Sequence, residues 1–192
     1  MTEKRQQRIR AVLEHRQPDL TVVMEDIHDA HNVSAMLRSA DAVGVKEVQL
    51  VYAIDAFPKL GKKSSASATK WIPRRKFNSI QECYAALRAE GFAIYATHLG
   101  KKSVSLYELD LTKKAALVFG NEHRGVSAEA SELADADFQI PMAGMIQSLN
   151  VSVACAVSLY EAYRQRVLAG SYDNPALAPG ELEKLFKEWT AK

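Results

Sequence analysis

Ile140-Pro141-Met142-Ala143-Gly144-Met145-Ile146-Gln147-Ser148-Leu149-Asn150-Val151 leaves a short apolar segment and runs directly into an apolar helix beginning at Val151. Pro141 and Gly144 break regular structure, and Ser148 is a candidate N-cap of the helix. Asn150 falls two residues further on, where helical geometry does not put it on the same face as Ser148, so the pair straddles the junction. Loop backbone and a helix N-terminus thus meet at one spot, which can hold a polar small molecule through main-chain hydrogen bonds.

Upstream, strand-like and helix-like segments alternate. Leu20 to Met24 reads as a buried strand, Asn32 to Val43 as a helix stopped by Gly44, and Glu47 to Tyr52 as a second strand. A helix from about Ser79 to Glu90 precedes strand Phe92 to Thr97. Strand Ala115 to Phe119, helix Ser127 to Ala134, strand Asp137 to Ile140 and the helix from Val151 to about Leu168 follow. This alternation predicts an α/β fold with a largely parallel sheet, helices on both faces, and ligands at the carboxyl ends of the strands. Residues 1–18 are expected to form a basic N-terminal helix, 19–168 the main domain, and 169–192 a linker and a short helix from Glu181 to Trp189. The stripe Ile9, Val12 and Leu13 requires the first helix to dock on another element.

A length of 192 residues with 47% hydrophobic and 25% charged content is that of a soluble globular protein. No apolar run approaches the roughly 18 residues of a membrane span, and the N-terminus lacks a signal-peptide core, so a cytoplasmic location without membrane contact is expected. Cys83 and Cys155 lie in helix-like segments and read as core residues. The net charge of +2 is uninformative, but its distribution is not: Lys59, Lys62, Lys63, Lys70, Arg74, Arg75 and Lys76 follow one another without an acid, and Lys4, Arg5, Arg8, Arg10 and Arg16 crowd the first helix. Such a field attracts a polyphosphate, although charge runs are commonly solvated faces. The Ser-rich part of the stretch, 62–67, reads as mobile.

Several chemistries are excluded. The Gly-Lys-Lys-Ser strings at Gly61 and Gly100 lack the earlier glycine of a phosphate-binding loop, since Ala56 and Tyr95 stand there, and no Gly-x-Gly-x-x-Gly follows a strand. No histidine sits in a metal-binding frame, and no Gly-x-Ser-x-Gly elbow presents a nucleophile. No metal is therefore expected.

Two further stretches follow strands. In Asn32-Val33-Ser34-Ala35-Met36-Leu37-Arg38, Asn32 is a candidate N-cap, and Arg38 interrupts an otherwise apolar helix. It lies roughly 9 Å along the axis and about 120° around from Asn32. A lone arginine there snorkels to water or meets an anion. In Phe119-Gly120-Asn121-Glu122-His123-Arg124-Gly125-Val126, two glycines frame a tight turn with Glu122 at its tip.

Together, from about Arg16 to Arg166 and including Gln17-Pro18-Asp19-Leu20-Thr21-Val22, these stretches resemble the SpoU branch of the SPOUT RNA methyltransferases, most closely the TrmH group of tRNA guanosine 2′-O-methyltransferases. The resemblance implies a C-terminal deep trefoil knot, which general folding rules give no reason to expect, with S-adenosylmethionine held in it. It implies that Asn32, Arg38, Glu122, Ser148 and Asn150 form the catalytic centre, and that main-chain groups near Thr97, Gly120, Ile140, Ser148 and Leu149 seat the donor. In-line transfer of a sulfonium methyl to a ribose hydroxyl depends chiefly on alignment. The family scheme makes Arg38 the base, helped by a substrate phosphate. A guanidinium is normally always charged, so electrostatic stabilisation of an alkoxide by Arg38 is equally open.

The short basic N-terminal helix and the C-terminal segment resemble the subgroup that methylates guanosine 18 of the tRNA D-loop. Methylation of the tRNA wobble position or of ribosomal RNA is the alternative reading, and a non-catalytic RNA-binding module ranks below both. The resemblance also implies a homodimer, with which the apolar surround of Val151 to Leu159 agrees. Arg8, Arg164, Arg166, Lys62 and Lys63 are the candidate tRNA phosphate contacts.

Overall fold

The chain was analysed as a computed structural model that describes residues 1–59, 68–100 and 102–192. Among these, seven strands form one sheet: β1 (Leu20–Glu25), β2 (Val48–Val51), β3 (Arg74–Phe77), β4 (Ala93–Thr97), β5 (Val104–Ser105), β6 (Ala115–Phe119) and β7 (Ala136–Gln139). Every pairing is parallel, in the order β3-β2-β1-β6-β4-β7-β5. The helices are α1 (Glu3–Glu14), α2 (Ala30–Ala42), α3 (Ala68–Trp71), α4 (Ile80–Ala89), α5 (Ala128–Leu133), α6 (Val151–Leu168) and α7 (Pro179–Thr190).

Helices cover both faces because the central strands are apolar on both. Val22 and Met24 of β1, with Leu117 and Phe119 of β6, pack against Met36 and Leu37 of α2 and Cys155 and Leu159 of α6. The alternate residues Val23, Ala116 and Val118 meet Cys83, Tyr84 and Leu87 of α4 and Ala130 of α5. The period of two assigns each residue its layer, and each large side chain so buried contributes about 1.5–3 kcal/mol. Both cysteines are buried in these layers. Strands buried on two sides read as continuous apolar runs, which makes β1 and β6 recognisable in the sequence. The edge strand β3 is not anticipated, because Arg-Arg-Lys-Phe has no apolar alternation and is half exposed.

The first helix finds its partner at the other end of the chain. Ile9 and Leu13 of α1 pack on Leu177, Leu182 and Trp189, and Arg10 pairs with Glu183 at 2.8 Å. The expected mobile stretch 62–67 lies outside the described residues.

One expectation is overturned in the last turn of α6. Arg166 is fully buried: its Nε donates to the Leu111 carbonyl at 2.9 Å, Nη1 to Gln17 Oε1 at 3.0 Å, and Nη2 to the carbonyls of Lys113 at 2.6 Å and Asp19 at 3.2 Å. The Asp19 carboxylate neutralises it. A buried guanidinium must satisfy its donors internally, so Arg166 joins α6 to the starts of β1 and β6 and is not an RNA contact.

Replacing Arg166 with Met should therefore destabilise the protein by about 3–5 kcal/mol, because the Asp19 carboxylate and several carbonyls lose their donors. Lysine should not restore it, lacking the planar fork. Urea denaturation of the two variants checks both expectations; a midpoint unchanged from wild type in Arg166→Met contradicts them.

Candidate active site

Three loops leave the carboxyl ends of parallel strands on one edge of the sheet: residues 26–29 after β1, 120–127 after β6, and 140–150 after β7. β1 and β6 are neighbours, and connections depart in opposite directions from this point, the usual place for a crevice in an open α/β sheet.

The loop after β6 folds back on itself. Gly125 N donates to the Asn121 carbonyl at 2.8 Å with Gly125 at φ +71°, and a Cβ on Gly120 would stand 2.2 Å from the Gly125 carbonyl. Gly120 leaves no room for a side chain, and Gly125 adopts the left-handed conformation that favours glycine. Asn121 completes the turn from inside, its Oδ1 accepting from the amides of His123 at 2.9 Å and Arg124 at 3.3 Å, while its Nδ2 donates to the Asp26 carbonyl at 2.8 Å.

Glu122 is thereby aimed across to the loop after β1 and is no solvated tip. Its carboxylate accepts from the amides of His28 at 2.9 Å and Asp29 at 3.0 Å and from Asn32 Nδ2 at 2.8 Å. Partial burial alone would raise its pKa, but hydrogen bonds from Asn32, His28 and Asp29 prevail and hold it below the usual glutamate value. Asn32 Oδ1 in turn accepts from Asn150 Nδ2 at 3.1 Å, and Asn150 Oδ1 accepts from Ser152 N at 2.9 Å and Ser152 Oγ at 2.6 Å. The direction of this series is set at its ends. A carboxylate only accepts and a helix N–H only donates, so each amide between them has one orientation that satisfies both neighbours.

Two capping expectations are corrected by this arrangement. The N-cap of α2 is Asp29, whose Oδ1 accepts from His31 N at 2.7 Å, and Asn32 lies inside the first turn with its amide free to reach Glu122. The N-cap of α6 is Asn150 and not Ser148, which sits in the exposed loop before it.

Beside the series opens a cavity of about 670 Å³. Thr97, Gly120, Ile140, Ser148 and Leu149 all line it, together with Phe119, Phe138, Glu122 and Asn150. Its size is that of a small-molecule site, and its lining combines apolar side chains with strand-end and loop main chain, which suits a cofactor having both adenine-like and zwitterionic parts. Asn32 and Arg38 are not among the lining residues. Arg38 is exposed on α2 with no ion-pair partner among the described residues.

The remaining RNA-contact candidates divide. Arg8 is exposed and without an ion pair among the described residues, whereas Arg164 is already held by both oxygens of Glu161 at 2.8 Å each. Lys62 and Lys63 lie outside the described residues.

Two participants escape the sequence reading. Asp26 adopts φ 47°, its carboxylate accepts from the amides of Ile54 at 3.3 Å and Asp55 at 3.1 Å, and its carbonyl receives Asn121. An aspartate directly after a strand is the available signal, since aspartate tolerates the left-handed region that most residues avoid. Asn121 itself stands beside Glu122 in the quoted turn and could have been singled out as its support.

The description of the SpoU rRNA Methylase family matches residues 19–160. A tRNA (guanosine(18)-2′-O)-methyltransferase of Thermus thermophilus is 47% identical over 100% of this chain and 98% of its own length. The crystal structure of an Aquifex aeolicus TrmH/SpoU tRNA modifying enzyme is 43% identical with a TM-score of 0.91, covering 97% of this chain and 95% of that one. An AdoMet-bound rRNA methyltransferase from Sinorhizobium meliloti is 28% identical with a TM-score of 0.69, covering 81% of this chain and 59% of that one.

Glu122→Gln keeps the shape but presents an amide to donors that need an acceptor, and should cost about 1–3 kcal/mol at neutral pH. Because the folded-state pKa is depressed, this contribution is complete above the unfolded value of about 4.3 and is lost as pH falls through the lower folded value. The stability difference between wild type and Glu122→Gln, measured by denaturation across acidic pH, should shrink toward zero on that descent. A difference independent of pH would contradict the carboxylate's role.

Proposed function

The chain belongs to the SpoU rRNA methylase family, and from that premise we propose that it transfers a methyl group from S-adenosylmethionine to the 2′-hydroxyl of guanosine 18 in the D-loop of tRNA. The observation that carries the reading is the hydrogen-bonded series Glu122, Asn32, Asn150, which ties all three motif loops together at the rim of the cavity. Relatives 44–47% identical over 98–100% of the chain are tRNA (guanosine(18)-2′-O)-methyltransferases, which supports this substrate.

Bound S-adenosylmethionine supplies an electrophilic methyl on a positively charged sulfur. Main chain near Thr97, Gly120, Ile140 and Leu149, with Ser148, would seat it, and the buried rings of Phe119 and Phe138 give the cavity an apolar wall. Glu122 and Asn150 hold the loops that would align a ribose hydroxyl with the donor, and alignment supplies most of the lowering of such a barrier. Arg38 stands free of any described carboxylate, so its charge is available to the developing alkoxide while a substrate phosphate oxygen or water accepts the proton. Arg8 contributes to tRNA phosphate binding.

The reading includes a trefoil knot closed by residues 141–150 and α6, and a cytoplasmic homodimer. Support for the dimer is an apolar surface on that same segment: Met145 is 99% exposed and Ile146 70%, and Val153, Tyr160 and Val167 continue it along α6. Met and Tyr are common in interface cores.

Incubation with labelled donor and unmodified tRNA transcripts, followed by mapping of the product, should place the methyl on guanosine 18. Methylation only at the wobble position or only on ribosomal RNA overturns the substrate, and no transfer to any RNA favours a binding module. Arg38→Ala should lower transfer by about 10²-fold or more while donor binding by calorimetry persists; loss of both together would make Arg38 structural.

A further inference from the structure

The acid-free run from Lys59 to Lys76 ends in β3, an edge strand of the sheet. Its side chains alternate. Arg75 turns toward α4, pairing with Glu90 at 2.6 Å, and Phe77 packs against the same layer. Arg74 and Lys76 therefore point to the opposite face, the one that carries α2 and α6. Both are exposed, and neither has an acidic partner among the described residues.

This row is joined to the site edge by packed side chains. Lys76 Nζ lies 5.6 Å from the ring centre of Phe57, Phe57 meets Tyr52 edge to face at 5.1 Å, and the Tyr52 hydroxyl donates to the Ile27 carbonyl in the loop after β1 at 3.0 Å. Lys59, exposed, follows Phe57 by two residues. Arg38 is exposed on α2, on the same side of the sheet. Across the sheet, β3 is two strands from β1, roughly 10 Å, and Arg74 and Lys76 are spaced by roughly 6.6 Å along it. A row of unpaired cations two strands from the loop after β1, which Glu122 ties to the cavity rim, suits the phosphates of nucleotides flanking the modified one.

We infer that the outward row of β3, Arg74 and Lys76 with Lys59 beside it, is an RNA-backbone surface that holds the substrate beyond the modified nucleotide. The inference rests on the reading of the substrate as RNA. It competes with a simpler role, since charges on an edge strand prevent edge-to-edge pairing between molecules. That protection needs charge of either sign, whereas phosphate binding needs positive charge, and the difference makes the two roles separable.

The test uses the full chain carrying R74E/K76E or R74Q/K76Q, with K113E as a control at a cation that precedes β6, is 81% exposed and pairs with Asp110 at 3.0 Å. Binding of an unmodified tRNA transcript is followed by anisotropy across a salt series, and donor binding by calorimetry. R74Q/K76Q should flatten the slope of log K against log salt by about 1–2, and R74E/K76E should raise KM for tRNA about tenfold or more, with donor affinity and solubility unchanged. If both variants bind tRNA like K113E, with wild-type salt dependence, the surface is refuted. If wild type methylates tRNA in that same experiment, the proposed function stands without it; if wild type neither binds nor methylates any RNA, both fall.

Discussion

The carboxylate of Glu122 is the constraint on which the site depends. It is the one group in the hydrogen-bonded series that can only accept, and it therefore dictates how the amides of Asn32 and Asn150 are turned. Loops that are 90 and 118 residues apart in sequence are held in one arrangement by it. Without that terminal acceptor, Asn32 Nδ2 would lose its partner and the loop after β6 its tie to α2. The depressed pKa is the thermodynamic expression of the same fact, since burial opposes the charge and the hydrogen bonds from Asn32, His28 and Asp29 retain it.

The backbone has been bent to bring Glu122 to this position. Gly120 and Gly125 allow the turn to close on itself, and Asn121 braces it while reaching Asp26. Asp26 adopts a conformation that costs most residues roughly 1–2 kcal/mol, and the amides of Ile54 and Asp55 bound to its carboxylate offset that cost. Strain sits where the loops converge, beside the cavity, and the regular sheet beneath it is unstrained.

Legibility in the sequence followed burial and locality. β1, β6, α2 and α4 announce themselves because the strands are apolar on both faces and the two helices are stopped by Gly44 and Gly91. β3 hides because an edge strand made of Arg74, Arg75 and Lys76 satisfies the period of two with charge in place of apolar residues. The motif residues are recognisable as a set through resemblance, but their partners are not: nothing local distinguishes Asn32 as a cap from Asn32 as a link, and the choice fell to Asp29 only in three dimensions. Arg166 illustrates the converse. A basic residue near the end of an amphipathic helix is ordinarily solvated, and only the packing of α6 against the starts of β1 and β6 reveals that its donors face inward.

That inward arginine has a consequence for how the molecule comes into being. Gln17 and Arg166 are 149 residues apart, and the turn after β6 reaches Asp26 from 95 residues away. At about 5–20 residues per second, a ribosome leaves β1 without its inner neighbour for roughly 5–20 s and without its final latch for longer. Through that interval β1 has only β2 beside it and its other edge stays open, the kind of exposed apolar strand edge that makes growing chains prone to aggregate.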